Sequence, residues 1–193
     1  MQTGHICYAK DFTDVDLDAW YHLNIDYVLE KGLMKGTAAD KFAPNDNLTR
    51  AMLVTILHRA EGQPKVAAAH KFTDLEEGLY YVDAVAWAYE KGVVKGISET
   101  EFVPNDNITR EQLAAMLHRF VQFKGYDVSV GEDTNILSYD DFDDIYEYAI
   151  PAMQWAVGSG LVKGKTARTL NPKDNATRAE AAAMLHRFME SNK

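Results

Sequence analysis

Three stretches of this chain carry the same seven-residue phrase ahead of an apolar helical pattern. They read Pro44-Asn45-Asp46-Asn47-Leu48-Thr49-Arg50, Pro104-Asn105-Asp106-Asn107-Ile108-Thr109-Arg110 and Pro172-Lys173-Asp174-Asn175-Ala176-Thr177-Arg178. Shifts of 60 and 68 residues superpose them, and the same shifts map Gly32 onto Gly92 and Gly160. Gly36 likewise falls on Gly96 and Gly164, and Arg59 on Arg119 and Arg187. A repeat of this period constrains the fold more than any composition does. A unit of about 50 residues with two short helices cannot bury a core alone, so the copies must stack through their apolar faces.

The units are read as residues 10–62, 71–124 and 139–190, together one structural domain, with 1–9 as an N-terminal segment. The joins are Gln63–His70, which contains Pro64, and the polar Gly125–Ser138. Each unit opens with Phe-x-Asp and an aliphatic residue: Phe12 to Val15, Phe72 to Leu75 and Phe142 to Ile145. The first helix is predicted over about Asp18 to Lys31, with Trp20, Leu23, Tyr27 and Val28 on one face and Gly32 as its stop. Its counterparts are Val82–Lys91 and Ile150–Ser159, the latter with Pro151 in its first turn. The second helix follows each Thr. Thr109 with Gln112 and Thr177 with Glu180 fit a capping box, whereas Thr49 faces Met52 and keeps only half of it. Apolar stripes through Leu53 and Leu57, Leu113 and Leu117, and Ala181 and Leu185 follow. The expected fold is mostly α: three helix-loop-helix units in one compact pseudo-threefold body.

Arg50, Arg110 and Arg178 stand where a cation is mildly unfavourable, in the first turn of a helix whose N–H groups are unpaired. Free N–H groups beside a guanidinium make an anion site. The structural alternative is inter-repeat salt bridging to some of the 29 acidic residues.

Other classes find little support. The 193 residues carry a net charge of −9 and no basic run, which argues against nucleic acid. No apolar stretch is long enough to span a membrane. Cys7 is the only cysteine, so no intrachain disulfide forms. The start, Met1 to His5, lacks the pattern of a secretory signal. The Asn45-Asp46-Asn47 turn offers too few spaced oxygens for calcium and fits Asx turns. His58, His118 and His186 lie in phase near helix ends and read as polar helix termini rather than metal ligands. His5, His22 and His70 show no partnered spacing. No nucleophile, zinc or phosphate-loop motif is present, so no catalytic residue, metal or cofactor is expected.

The arrangement resembles the S-layer homology (SLH) domain. That family opens with Phe-x-Asp-Val, turns on Gly-Ile/Val-x-x-Gly, and starts its second helix on Thr-Arg-Ala-Glu. Here the turns run Gly32 to Gly36, Gly92 to Gly96 and Gly160 to Gly164, and Thr177-Arg178-Ala179-Glu180 matches the last motif in full. The resemblance implies a three-sided prism around a central helical bundle, at the bacterial cell surface. It implies non-covalent attachment to secondary cell-wall polysaccharide, often through a terminal ketal-pyruvate sugar. Carried onto this chain, Arg50, Arg110 and Arg178 would hold the carboxylate, and Asp14, Asp74 and Asp144 would accept sugar hydroxyls. Trp20, Tyr80 and Tyr148 would stack on a sugar ring, and Gly36, Gly96 and Gly164 would let backbone approach it. The runner-up is a protein–protein module for surface-layer assembly, with other surface-layer proteins as partners. The family's Gly-rich stretch after the turn is absent: residues 37–41, 97–101 and 165–169 contain no glycine.

Overall fold

A computed structural model describes residues 6–66 and 70–191. Parts of the N-terminal segment (1–5) and of the first join (67–69) lie outside the described residues. Among the described residues the α-helices are α1 (His22–Glu30), α2 (Arg50–Ala60), α3 (Val82–Glu90), α4 (Arg110–Phe123), α5 (Ile150–Gly158) and α6 (Arg178–Ser191). Short 3₁₀ turns sit at Ala9–Asp11, Ser129–Gly131, Phe142–Asp144 and Glu147–Ala149. Among the described residues the only β pairing is in isolated bridges. No helix among them is long and apolar enough to cross a membrane.

Local chemistry sets the helix ends. Thr109 Oγ1 accepts from the Gln112 N–H while Gln112 Oε1 accepts from the Thr109 N–H, a complete capping box. Thr177 and Glu180 repeat it. Thr49 accepts from the Met52 N–H alone. At the far ends of the first helices, Gly32, Gly92 and Gly160 take φ of +65°, +70° and +71°, the left-handed stop that glycine enters without strain.

The chain divides into two compact units, residues 1–46 with 177–193, and residues 47–176, where the sequence suggests a single domain. The physical reason is that a repeat is not the packing unit. Each first helix packs on a second helix from another repeat: α1 on α6, α3 on α2, and α5 on α4.

In the first unit α1 buries Ile25 and Val28 completely, and Tyr27 stacks on His186 at 4.1 Å. The buried face of α1 therefore differs from the predicted one. Trp20 and Leu23 are exposed, and Tyr21, Ile25 and Val28 carry the packing.

The second unit holds Trp87 of α3 almost wholly buried, its ring 5.3 Å from His58 of α2. Trp155 of α5 lies 5.3 Å from His118 of α4. The in-phase histidines are thus packing residues between helices rather than polar helix ends. Burial and then Arg119 push the His118 pKa down, so it is not the cation a helix terminus would attract. At the middle of this unit three equivalent residues close a backbone ring. Leu48 N–H donates to Ala176 O, Ala176 N–H to Ile108 O, and Ile108 N–H to Leu48 O, each at 2.9 Å. The three copies meet here around one cyclic set of hydrogen bonds, with the side chains of Leu48, Ile108 and Ala176 buried.

Candidate functional site

The motif arginines are buried, each about 5% exposed. Arg50 Nε donates to Phe102 O at 2.9 Å and its Nη2 to Lys95 O at 3.2 Å. Arg110 makes the same pair with Leu170 O and Lys163 O, both 2.9 Å. Arg178 does so with Phe42 O at 2.9 Å and Lys35 O at 2.8 Å. Arg50 and Arg178 also lie over the Phe102 and Phe42 rings, at 4.7 and 4.8 Å. Each arginine therefore ties its helix to another repeat's glycine turn and Phe-x-Pro step through a pair of backbone carbonyls.

The expectation of free N–H groups at these helix starts does not hold. Arg50 N–H donates to Asp106 O at 3.0 Å and Ala51 N–H to Pro104 O at 2.9 Å. Arg110 and Glu111 bond Asp174 and Pro172 in the same way, and Arg178 and Ala179 bond Asp46 and Pro44. A neighbouring Pro turn caps each helix with its own carbonyls. What remains for a ligand is guanidinium, not helix amide.

The aspartates sit in the turns. Asp14 accepts from Phe42 N–H at 2.9 Å and Ala43 N–H at 2.8 Å, and Asp74 does the same for Phe102 and Val103. Partial burial opposes ionisation of Asp14, but the two N–H bonds outweigh it and hold its pKa below the usual value. In the third copy this place is taken by Asp141, which accepts from Leu170 N–H and Asn171 N–H, not by Asp144. The third opening is thus Tyr139-Asp140-Asp141-Phe142, and the predicted register there was three residues late. The carboxylates brace a strained residue: Ala43, Val103 and Asn171 all have φ between +52° and +57°.

Gly36, Gly96 and Gly164 are required by the turn itself. A Cβ on Gly36 would meet the Phe12 ring at 2.5 Å, Ala38 O at 2.6 Å and Lys41 O at 2.8 Å. Trp20, Tyr80 and Tyr148 are all more than half exposed, as a stacking surface must be. Trp20 stands edge-on to Tyr21 and Tyr80 edge-on to Tyr81.

Within residues 47–176 the chain brings three of these positions, one per repeat, into one cleft of about 390 Å³. It is lined by Arg50, by Lys95, Gly96 and Ile97, by Gln112, Met116 and Arg119 of α4, and by Tyr146 and Tyr148. Asp74 lies in its turn and does not line the cleft. Tyr146 and Tyr148 are stacked at 6.0 Å.

Two residues here were missed at the sequence level. Arg119 recurs in register with Arg59 and Arg187, which was the available signal, but its direction depends on how α4 packs. Tyr146 has no in-register signal. Its backbone N–H donates to Glu111 Oε2 at 3.0 Å, and Glu111 pairs with Lys173 at 2.6 Å. The other copies have Ala51 and Ala179 at the Glu111 place, and Asn45 and Asn105 at the Lys173 place.

Burial lowers the pKa of both Arg50 and Arg119 from a value so high that both stay charged. Among the described residues neither makes an ion pair, and Arg119 makes no hydrogen bond. Tyr148 is pushed above its usual pKa by burial and by Glu111, and so is neutral. The cleft therefore presents two guanidiniums, Arg50 held by two carbonyls and Arg119 without a hydrogen bond among the described residues, beside the phenol rings of Tyr146 and Tyr148. The Asp74 carboxylate, near Arg50, is held in its own turn by the Phe102 and Val103 N–H groups.

The S-layer homology domain family matches the chain over residues 11–51, 71–114 and 138–182, and the chain belongs to that family. Among curated proteins it is 30% identical to the S-layer protein of Bacillus thuringiensis subsp. finitimus, over 92% of this chain and 21% of that one. It is 34% identical to an endoglucanase of Bacillus sp. strain KSM-635, over 92% of this chain and 18% of the enzyme. It is 26% identical to a cellulosome-anchoring protein of Acetivibrio thermocellus, over 81% and 35% respectively. The chain thus spans a third or less of the length of most of these relatives, and the endoglucanase name belongs to a protein most of which lies outside the match. The family and its surface-layer members identify a surface-anchoring module of the bacterial cell wall.

Proposed function

We propose that this chain is a non-catalytic anchor that holds an acidic cell-wall saccharide in the cleft between Arg50, Arg119 and Tyr148. A ketal-pyruvate carboxylate on a terminal sugar sits between the two guanidiniums, and the sugar ring lies on the Tyr146–Tyr148 face. The observation that carries this reading is Arg119, a part-buried cation facing the cleft with no hydrogen-bond partner among the described residues. A buried charge without a partner is costly, and a carboxylate bound to it contributes about 1.5–3 kcal/mol per charge-assisted hydrogen bond.

The test is sedimentation with purified wall sacculi, before and after the polysaccharide is stripped. The anchor co-sediments only with intact walls, and Arg119→Ala releases it. Equal binding to stripped walls, or self-association without any wall, would turn the assignment toward peptidoglycan or toward surface-layer assembly.

A further inference from the structure

The first repeat carries a polar cluster that the other two lack. His22 and Asp26 lie one turn apart on α1, and Cys7 approaches them from just before the Ala9–Asp11 turn. Cys7 Sγ is 3.2 Å from His22 Nε2, and that same nitrogen is 3.5 Å from Asp26 Oδ2. All three donor atoms lie within 4.8 Å of one another. Asp26 is 1% exposed, and its second oxygen accepts the Ala9 N–H at 2.6 Å.

We propose that Cys7, His22 and Asp26 form a binding site for a thiophilic divalent transition ion, with zinc the natural occupant.

Three arguments carry it. In a tetrahedral zinc site, bonds of about 2.3 Å to sulfur and 2.0–2.2 Å to nitrogen and oxygen separate neighbouring donors by roughly 3.4–3.6 Å. The 3.2 and 3.5 Å separations observed match that within a few tenths of an ångström. Second, one neutral imidazole nitrogen carries either a proton or a lone pair. Placed against both a thiol and a carboxylate, Nε2 serves only one of them, whereas a cation accepts lone pairs from all three. Third, the repeats supply their own control. The positions of His22 and Asp26 are Val82 and Ala86 in the second copy and Ile150 and Gln154 in the third. The fold therefore needs neither donor group at these places. The Ala9 N–H bond supplies the outer contact that orients a metal-bound carboxylate. Cys7 and His22 are partly accessible, so an ion can enter and water can take the fourth position. Binding forms the metal–sulfur bond and releases the thiol proton to solvent.

The test is titration of the untagged, chelator-stripped chain with Co²⁺, read by absorption, followed by competition with Zn²⁺. The expected result is one ion per chain, with a sulfur-to-cobalt charge-transfer band and the intense visible bands of a tetrahedral site. Cys7→Ser removes the charge-transfer band. Asp26→Ala and His22→Val, which write the second repeat's residues into the first, weaken binding by at least about tenfold and keep the helical circular dichroism. No binding, or weak binding with an octahedral spectrum indifferent to these changes, would overturn the proposal. In that case the cluster is a hydrogen-bonded packing contact, or the ion has gone to the acidic surface.

Discussion

Replacing Arg50 with alanine should damage the fold before it damages binding. The change removes two hydrogen bonds from a charged donor, to Phe102 O and Lys95 O, and the contact with the Phe102 ring. Charge-assisted bonds contribute about 1.5–3 kcal/mol each, and a cation over a ring about 0.5–2 kcal/mol. Against this stands the regained hydration of a buried guanidinium, a few kcal/mol. The net loss is about 2–4 kcal/mol, which for a chain of this size lowers the melting temperature by roughly 5–15 °C. Arg50→Lys should recover less than half of it, because an ammonium cannot span both carbonyls. Urea unfolding followed by tryptophan fluorescence is the assay, since Trp87 and Trp155 are buried. By contrast, Arg119→Ala should leave stability within about 0.5 kcal/mol, as it removes no hydrogen bond. An Arg50→Ala variant as stable as the parent chain would refute the view that these arginines join the repeats.

Three further expectations follow from the turns and the repeat contacts. Val103→Asn, which borrows the third repeat's residue, should raise stability by about 0.5–1 kcal/mol in denaturant, since a β-branched residue is strained at positive φ. A fall in stability would count against strain at that position. Asp14→Asn should cost stability near neutral pH. Because the folded carboxyl has a lowered pKa, its contribution is present above the unfolded value of about 3.9 and fades as pH falls through the folded value. The gap between parent and variant in urea midpoint should therefore close in acid; a gap independent of pH would reject the assignment. Finally, a double-mutant cycle on Glu111 and Lys173 should give a coupling of about 1–3 kcal/mol, since Glu111 is buried while its partner is not. Additive single changes would mean that the pair does not hold Tyr146 in place.

Much of this molecule can be read from its residues because the deciding interactions are local. Thr109 with Gln112, Thr177 with Glu180, and the glycine stops at 32, 92 and 160 each act within one turn of helix, and periodicity exposes them. The partners of α1 and α6 lie at opposite ends of the chain, so no local pattern reveals that they pack together. For the same reason the face predicted through Trp20, Leu23, Tyr27 and Val28 is half right: Val28 is buried and Tyr27 stacks on His186 of α6, while Trp20 and Leu23 are exposed and Ile25 is buried. The third opening was misplaced because Phe142-Asp143-Asp144 copies the motif's letters three residues after Tyr139-Asp140-Asp141, which performs its hydrogen bonding. The motif arginines stand out in the sequence, and the structure places beside the cation at each helix start a pair of carbonyls from another repeat. Arg119, the partnerless charge in the cleft, repeats as regularly as Arg50. Only packing shows which of the repeated arginines faces open space.

Calorimetric titration of the chain with a pyruvylated terminal wall saccharide and its non-pyruvylated twin tests the central claim most directly. The anchor should bind the pyruvylated form, bind the twin at least about tenfold more weakly, and lose that difference in Arg119→Ala, as the loss of one charge-assisted contact requires. Equal affinity for the two saccharides, or a preference that survives Arg119→Ala, would contradict carboxylate capture in this cleft.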